Sequence, residues 1–359
     1  MEGRRFFPLD QKLRLRKGKW SEGAAELATD MAMYAPSFAK AAKAYRKAVG
    51  SAMTRMSVWR MAISSGCKLA RQKAAEAEKA VSIAQREARP GSRVLTEERP
   101  VEGQGNLSTD GTMVRIREEG WKEARMSTVS HVEVLPPKGT RPGKRPSRRD
   151  HELRVRLDQH SYVLRLCDAD EFAPYQYAEG LRRALDRVEI LTSVNDGALW
   201  IKRITQTNFP KARQIVDWAH ASGYLHKAGK VVWGEVAPEG KQWVQARLDE
   251  LWNGQVEKVL EQVHKLDLHP DEWSEDVGNI PGYFEANVDR MRYDQYRASG
   301  YPIGSGTVES GANNVVHARM NRPGRGWARK HANAMLALLG EYHSDRFEQT
   351  WEQLCRSVT

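Results

Sequence analysis

Three successive strand-like segments, uninterrupted by any helix, constrain the fold of this chain most. Apolar and polar residues alternate in 113–117 and again in 125–134, and 161–167 is a third segment of the same kind. The elements predicted next are a helix at 170–186, a strand at 188–194, a short helix at 199–205, and a fifth strand that starts at 213 and runs into a helix by 220. This order of elements predicts an α/β domain.

The stretch 301–319 places an acidic residue at the start of a later helix. A loop rich in Pro, Gly and Ser opens the stretch, and Ser305 is the predicted N-cap of the helix. Glu309 lies in the first turn, and Asn313 lies one turn below it. A neighbouring face collects residues at intervals of three and four: Val308, Ala312, Val315 and Arg319. Between the α/β segments and this helix, 237–300 is predicted to be an all-helical insertion.

The N-terminal 95 residues predict short helices in the layout of a helix-turn-helix DNA-binding unit. Helices are expected from Ser21 and from Ser37, then a turn, then a third helix over 58–63. The third helix would present Arg60 to DNA. The alternative is a small helical bundle that makes no DNA contact, because this layout is common.

The charge balance indicates a polyanionic partner. The 359 residues include 57 Lys and Arg against 46 Asp and Glu, a net charge of +11, which favours nucleic acid. The loop at 136–149 contains six cations, including Arg145 and Arg148, and is either a solvated excursion or a segment that grips phosphates. The three cysteines form no CxxC pair, which favours a reducing cytoplasm. No apolar run reaches the ~18–20 residues of a membrane span.

Three acidic residues occupy matching places in the predicted order of elements. That order is the one of a ribonuclease-H-like fold, in which the first strand, the end of the fourth strand and a late helix converge. Asp110, Asp196 and Glu309 stand at these three places. Carboxylates brought together repel one another unless a cation neutralises them, and two Mg²⁺ or Mn²⁺ ions about 3.5–4 Å apart would do so while taking phosphate oxygens. Taken singly, each residue also has a simpler explanation: Asp-Gly is a common turn dipeptide, and an acidic residue suits a helix N-terminus.

Short motifs in a fixed order extend this pattern over nearly the whole chain. They are 6–10, 108–114 with 120–123, 195–201, 217–220, 303–309 and 325–327. With them the chain resembles the DDE transposases of bacterial insertion sequences, specifically the Kra family, whose catalytic core is related to that of Mutator and hAT transposases. The resemblance implies that Asp110, Asp196 and Glu309 are a catalytic triad that holds two Mg²⁺ or Mn²⁺ ions. It also implies an enzyme of the bacterial cytoplasm and nucleoid, with double-stranded DNA, both transposon ends and target, as its partner.

Asp217 and His220 match a Cys/Asp-x-x-His signature of these transposases. A spacing of three places both side chains on one helix face, where the histidine can donate to a carboxylate or reach a phosphate. The resemblance implies that they support the site, as Asn313 would; the alternative is a surface Asp–His pair. Family members usually carry a cysteine-containing part before the 6–10 motif. The expectation here is a truncated copy, a late start or a short natural form.

The resemblance divides the chain into a DNA-binding region (1–95), a ribonuclease-H-like core in two parts (105–236 and 301–359) and the insertion. Backbone contacts to DNA are expected from Arg319, Arg322 and Arg325. Trp327 is either a buried anchor for the last helix, 328–347, or a base-stacking platform. The predicted activity is cutting and joining of DNA by a homo-oligomer. The alternatives are a nuclease or resolvase without strand transfer, and an inactive DNA-binding relative.

Overall fold

The computed structural model describes residue 15 and residues 20–87, 101–139, 151–266 and 279–356. Within these ranges the elements are, in chain order, α1 (Glu22–Tyr34), α2 (Phe38–Val49), α3 (Arg55–Glu87), β1 (Val101–Ile116), β2 (Gly120–Leu135), β3 (Arg154–Arg165), α4 (Ala169–Arg182), β4 (Val188–Asn195), α5 (Leu199–Asn208), β5 (Arg213–Val216), α6 (Trp218–Trp233), α7 (Pro238–Trp252), α8 (Val256–His264), α9 (Ile280–Asn287), α10 (Tyr293–Ala298), α11 (Gly306–Met320), α12 (Arg329–His343) and α13 (Phe347–Arg356). The middle part of α11, Ala312–His317, is π-helical. The predicted mixed α/β class is confirmed.

The strands form one mixed sheet in the order β3-β2-β1-β4-β5. β2 pairs antiparallel with both β1 and β3, whereas β4 runs parallel to β1 and to β5. The strands are longer than the alternation predicts, and Asp110 lies inside β1, opposite Met126 of β2, rather than before the strand. Alternation fails there because every residue of 105–109 is buried, as in a strand covered on both faces.

Helices cover both faces of the sheet. On one face, Ile116 and Met126 pack with apolar side chains of α1, α3, α11 and α12. On the other face, Leu107 packs with Phe209, which follows α5, and with α4. The layers therefore place α11, which carries Glu309, across β1 and β2.

The N-terminal helices share this core. Ser21 caps α1, as predicted, and Ser37 caps α2. The predicted third helix, 58–63, is only the start of α3, a single helix of 33 residues. Gly66 lies inside this helix at a packing contact, because a Cβ at that position would clash with the backbone oxygen of Ala334 in α12. The helix-turn-helix interpretation is therefore wrong about where the third helix ends.

The described part of the predicted insertion is helical, as expected. Helices α7 to α10 build a second core together with α6, in which Leu225, Val259 and Phe284 are fully buried. This core lies beside the end of β4, because Val194 and β5 residues contribute to it. The insertion is thus placed next to Asp196, which directly follows β4.

The C-terminal segment contains two helices where the sequence predicts one. Leu336 and Leu339 of α12 are fully buried, as their spacing predicts, but Asp345 adopts a φ of 55° and separates α12 from α13. Across the described ranges, no helix combines the length and the apolar character needed to cross a membrane.

Candidate active site

Asp110 is partly buried, and the charges of the other predicted acidic residues affect its pKa. Burial is the largest influence and raises the pKa of Asp110 to about 6; the negative charges of Asp196 and Glu309 also raise it. The backbone N–H of Gly111, which donates to Asp110 Oδ1 over 2.7 Å, and the neighbouring His220 oppose this rise. The fold therefore brings Asp110, Asp196 and Glu309 within electrostatic reach of one another.

The Asp196 turn is held from two sides. Its Oδ1 accepts the backbone N–H of Ala198 over 2.8 Å. From the insertion, the Tyr283 hydroxyl donates to the Asp196 carbonyl over 2.9 Å, and Arg290 donates to the Gly197 carbonyl over 3.2 Å. Gly197 adopts a φ of +97°, and a Cβ on it would meet the Tyr283 ring at 2.9 Å. The glycine after Asp196 is thus required by the turn and by the approach of Tyr283.

Asn195 connects the two strands that carry the aspartates. The β1–β4 ladder pairs residues as far as Asn106 and Thr192. Beyond that point, Asn195 Oδ1 accepts the backbone N–H of Thr109 over 2.6 Å, and its own carbonyl accepts the backbone N–H of Asp217 over 2.7 Å. One buried residue therefore fixes the positions next to Asp110, Asp196 and Asp217.

Glu309 is half-exposed in the first turn of α11. Its Oε1 lies 3.3 Å from Nε2 of His220, whose side chain is also partly exposed. Ser305 occupies the N-cap position of α11, as predicted, but its side chain makes no capping hydrogen bond and its backbone (φ −91°, ψ 14°) lies outside the extended region usual for an N-cap. The Ser305 hydroxyl donates to Asp217 Oδ2 over 2.9 Å instead.

Asp217 and His220 act on different partners. Asp217 is only 2% exposed and is the N-cap of α6, because its Oδ1 accepts the backbone N–H of His220 over 2.8 Å. Its Oδ2 accepts both the N–H and the hydroxyl of Ser305. Asp217 precedes the helix, and its side chain lies on the same side as that of His220, as predicted, because ligand atoms of the two lie within 4.8 Å of each other. Its carboxylate ties α6 to the loop before Glu309, while the His220 ring turns to Glu309.

Within the described residues, the potential metal ligands that lie closest together are not the predicted triad. Ligand atoms of Asp217, His220 and Glu309 all lie within 4.8 Å of one another. Both oxygens of Asp217 already accept hydrogen bonds, so this residue is committed to the scaffold. In a two-ion site the ions lie about 4 Å apart and each ligand atom lies about 2 Å from its ion, so ligand atoms on different ions can be more than 4.8 Å apart. The predicted triad therefore does not have to be the closest group of ligands.

The residues around Asp110 fit divalent cations. Carboxylate oxygens are the ligands that Mg²⁺ and Mn²⁺ prefer. Among the described residues, no Lys or Arg forms an ion pair with Asp110, Asp196 or Glu309, and the basic side chain that pairs with them is His220, beside Glu309. Asp110 and Asp196 each use Oδ1 for a backbone N–H, and Oδ2 accepts no hydrogen bond from a described residue.

Asn313 reaches β1 through a histidine. It is exposed in the π-helical part of α11, and its Oδ1 lies 3.1 Å from His317 Nδ1. His317 Nε2 lies 2.8 Å from the hydroxyl of Thr112, two residues beyond Asp110 on β1. Burial lowers the pKa of His317, which favours the neutral ring. Asn313 thus helps to orient α11 on β1, and π-helical turns often occur at such sites.

The residues predicted to contact DNA lie in different environments. Arg60, Arg322 and Arg325 are exposed. Arg145 and Arg148 fall outside the described residues. The Arg325 side chain donates to the Pro36 carbonyl over 3.2 Å.

Arg319 is a correction to the predicted DNA contacts. Its side chain is buried with 4% exposure, and its Nε donates to the carbonyl of Ala32 over 2.6 Å. Trp327 is anchored: its backbone pairs with Arg115 and Arg117 beside β1, and its Nε1 donates to the Met320 carbonyl over 3.1 Å. The structure thus gives Trp327 the anchoring contacts that one of the two sequence interpretations requires.

Several residues of the site are missing from the sequence prediction. Tyr283 and Arg290 hold the Asp196 turn from the insertion, and Asn195 holds the backbone next to Asp110 and Asp196. Asn195 precedes Asp196, and its place at the end of a predicted strand could have indicated a role in the site. No spacing in the sequence connects Tyr283 or Arg290 to Asp196.

Comparisons with known proteins do not assign this chain to a family. No protein-family model matches the chain, and no curated protein matches it. The evidence for a function is therefore the arrangement of the acidic residues and the fold that positions them.

Proposed function

We propose that this protein is a DDE-type DNA transposase, which cuts and joins transposon DNA by metal-dependent phosphoryl transfer. The single observation that carries the proposal is the electrostatic coupling of Asp110 with Asp196 and Glu309, three residues far apart along the chain. The strand order β3-β2-β1-β4-β5 supports it, because this is the order of a ribonuclease-H-like core. The helical insertion between Asp196 and Glu309 also supports the proposal.

In this proposal Asp110, Asp196 and Glu309 hold two Mg²⁺ or Mn²⁺ ions. Such ions supply Lewis-acid stabilisation for an in-line displacement at phosphorus. The residues of this chain position the ligands: Asn195 and Tyr283 fix the aspartates, and His220 orients Glu309.

The proposed substrate is double-stranded DNA, at transposon ends and at the target, acted on in the bacterial cytoplasm. The exposed Arg60, Arg322 and Arg325 would contact phosphates and give affinity that falls with salt. A homo-oligomer is expected because two ends have to be brought together. This expectation comes from the function and not from a surface of the chain.

The test uses the full chain and duplexes from the DNA that flanks its reading frame. Asp110→Asn, Asp196→Asn and Glu309→Gln should each abolish Mg²⁺-dependent cleavage while DNA binding persists. Asp186→Asn is the matched control, because Asp186 is exposed in the turn between α4 and β4 and far from these contacts. Cleavage retained in any of the three variants removes that residue from the triad.

A second assay separates transposase from nuclease or resolvase. A duplex with a pre-formed 3′-hydroxyl is offered together with a target plasmid. Joined product supports the transposase. Cleavage of flanking DNA without joining would assign the site to a nuclease instead.

A further inference from the structure

A cleft of about 730 Å³ opens between the loop 324–328 and the first turns of α2 and α3. Its size falls within the range of small-ligand sites. Arg117, on its wall, follows the end of β1 seven residues after Asp110, so roughly 20 Å of extended strand separates the cleft from the acidic site. The cleft is therefore a separate place on the molecule.

The cleft is strongly cationic. Four arginines line it, with no Asp or Glu among the described lining residues: Arg55, Arg117, Arg319 and Arg325. None of the four forms an ion pair within the described part of the chain. Backbone carbonyls hold three of them, since Arg117 donates to Gly326, Arg319 to Ala32 and Arg325 to Pro36. Carbonyls fix these guanidinium groups without neutralising them.

Arg319 has the greatest need of an anion. Its side chain is 4% exposed, yet its Nη2 has no hydrogen-bond partner. Burial, assisted by the charges of Arg325 and Arg322, lowers the pKa of Arg319 to about 10. A buried guanidinium without a counter-charge is costly, and an anion in the cleft would offset this charge without contacting Arg319 directly.

Aromatic side chains form the rest of the wall. Phe38, Trp59 and Trp327 all line the cleft. The Arg319 guanidinium lies 4.5 Å from the centre of the Phe38 ring, and the Trp59 ring meets the His331 ring edge-on at 5.2 Å. Arginines with aromatic rings are the combination that binds a phosphate together with an unpaired base.

We propose that this cleft binds one unpaired nucleotide of a DNA strand. Its phosphate would lie against the exposed Arg55 and Arg117, and its base would stack on Trp59. The choice of DNA as the source of the nucleotide rests on the proposed function, whereas the chemistry of the cleft does not. The surface would hold a frayed or displaced strand away from the acidic site.

The test measures binding of a fluorescein-labelled single-stranded dT octamer by anisotropy, with the full chain in EDTA. Arg55→Glu and Trp59→Ala should each weaken binding about tenfold or more. Arg71→Glu is the matched control, because Arg71 is exposed on the same helix but outside the cleft, and it should change affinity less than about twofold. Arg55 is exposed, so its substitution does not endanger folding.

Two further arms identify the ligand. The effect of Trp59→Ala should disappear on an octamer of abasic sites, and a blunt duplex should bind without sensitivity to Trp59→Ala. Undiminished octamer binding in both cleft variants would overturn the proposal, and equal affinity for free dTMP would overturn the assignment to a DNA strand. The binding assay contains EDTA and no metal, so it does not depend on DNA cleavage. Failure of the cleavage tests would therefore leave the binding result unchanged.

Discussion

The side-chain oxygen of Asn195 accepts the backbone N–H of Thr109 over 2.6 Å, and each of these two residues immediately precedes an acidic residue of the site. The bond continues the contact between β1 and β4 after their regular ladder has ended. Both residues are buried, so no water replaces the bond if it is lost. The spacing of Asp110 and Asp196 therefore depends on one amide.

Replacement of this amide should damage both stability and the site. Asn195→Ala leaves the buried Thr109 N–H without a partner, which should cost about 1–3 kcal/mol of unfolding free energy. It should also lower Mg²⁺-dependent cleavage. Urea unfolding and the cleavage assay measure the two effects. Asn314→Ala is the control, since this exposed asparagine bonds only Ser310, over 3.0 Å, and should be neutral in both assays. Full activity of Asn195→Ala would show that the bond does not set the spacing.

Gly197→Ala should move the Asp196 turn. The new Cβ would meet the Tyr283 ring at 2.9 Å, and the positive φ of +97° adds backbone strain of about 1–3 kcal/mol. Gly234→Ala is the matched control, because Gly234 also has a positive φ but no neighbouring atom within 4 Å of the place that a Cβ would take. Both variants should melt earlier, and only Gly197→Ala should lose cleavage. Equal activity of the two would separate this turn from the reaction.

The raised pKa of Asp110 predicts a pH-dependent stability in the metal-free protein. The ordinary pKa is 3.8 and the folded value is about 6, so folding takes up a proton between these values. The contribution of Asp110 to stability is therefore lost as pH rises from about 4 to 6. In EDTA, Asp110→Asn should match the native chain near pH 4 and exceed it by about 2–3 kcal/mol above pH 6. A difference that does not change with pH would contradict the burial of this carboxyl group.

His220→Ala should separate catalysis from folding. The pair of His220 with Glu309 is partly exposed, with 41% and 48% of the side chains accessible, so its loss should change stability by less than about 1 kcal/mol. Cleavage should fall by about 10–100-fold, because Glu309 loses the partner that orients it. His264→Ala is the matched control, since His264 pairs with Glu285 at 2.9 Å on the exposed side of the insertion. Equal cleavage by the two variants would place His220 outside the site.

The order of strands and helices could be predicted because periodicity is a local property of the chain. It also indicated the burial of α11: Val308 and Val315 share a helix face with Arg319, and all three are buried. The charge of Arg319 suggested DNA contact instead, and the periodicity was the better guide. The end of the predicted third helix at residue 63 is a failure of the local pattern, since α3 continues through Gly66, which allows close packing of α3 on α12.

The contacts that complete the site could not be predicted, because they join segments through packing. The contact of Tyr283 with Asp196 depends on how the insertion docks beside β4. The sequence could have predicted that Asp217 caps α6, since Asp is a frequent N-cap that accepts the backbone N–H of the third residue after it. The signature match pointed to Asp217 and His220 together, and the structure brings ligand atoms of the two within 4.8 Å of each other.

Glu341 should contribute strongly to stability, because it ties three helices together. On α12 it is buried, and it pairs with Lys73 of α3 and with Arg346, while Arg182 of α4 lies 3.7 Å from it. Burial alone would raise the pKa of Glu341, but the three cations hold it at about 2.

Glu341→Gln should lower the unfolding free energy at pH 7 by about 2–4 kcal/mol, since it removes the buried carboxylate that three partly buried cations share, each of which keeps at least one other acidic partner. Because the folded pKa is depressed, the stability from Glu341 is present above pH 4.5 and is lost as pH falls toward 2. The difference in unfolding free energy between the variant and the native chain, measured in urea, should therefore become smaller as the pH falls from 5 to 3. Glu352→Gln, which removes only an exposed pair with Arg356, should stay within about 0.5 kcal/mol. A Glu341→Gln chain as stable as that control would show that the cations are satisfied without this carboxylate.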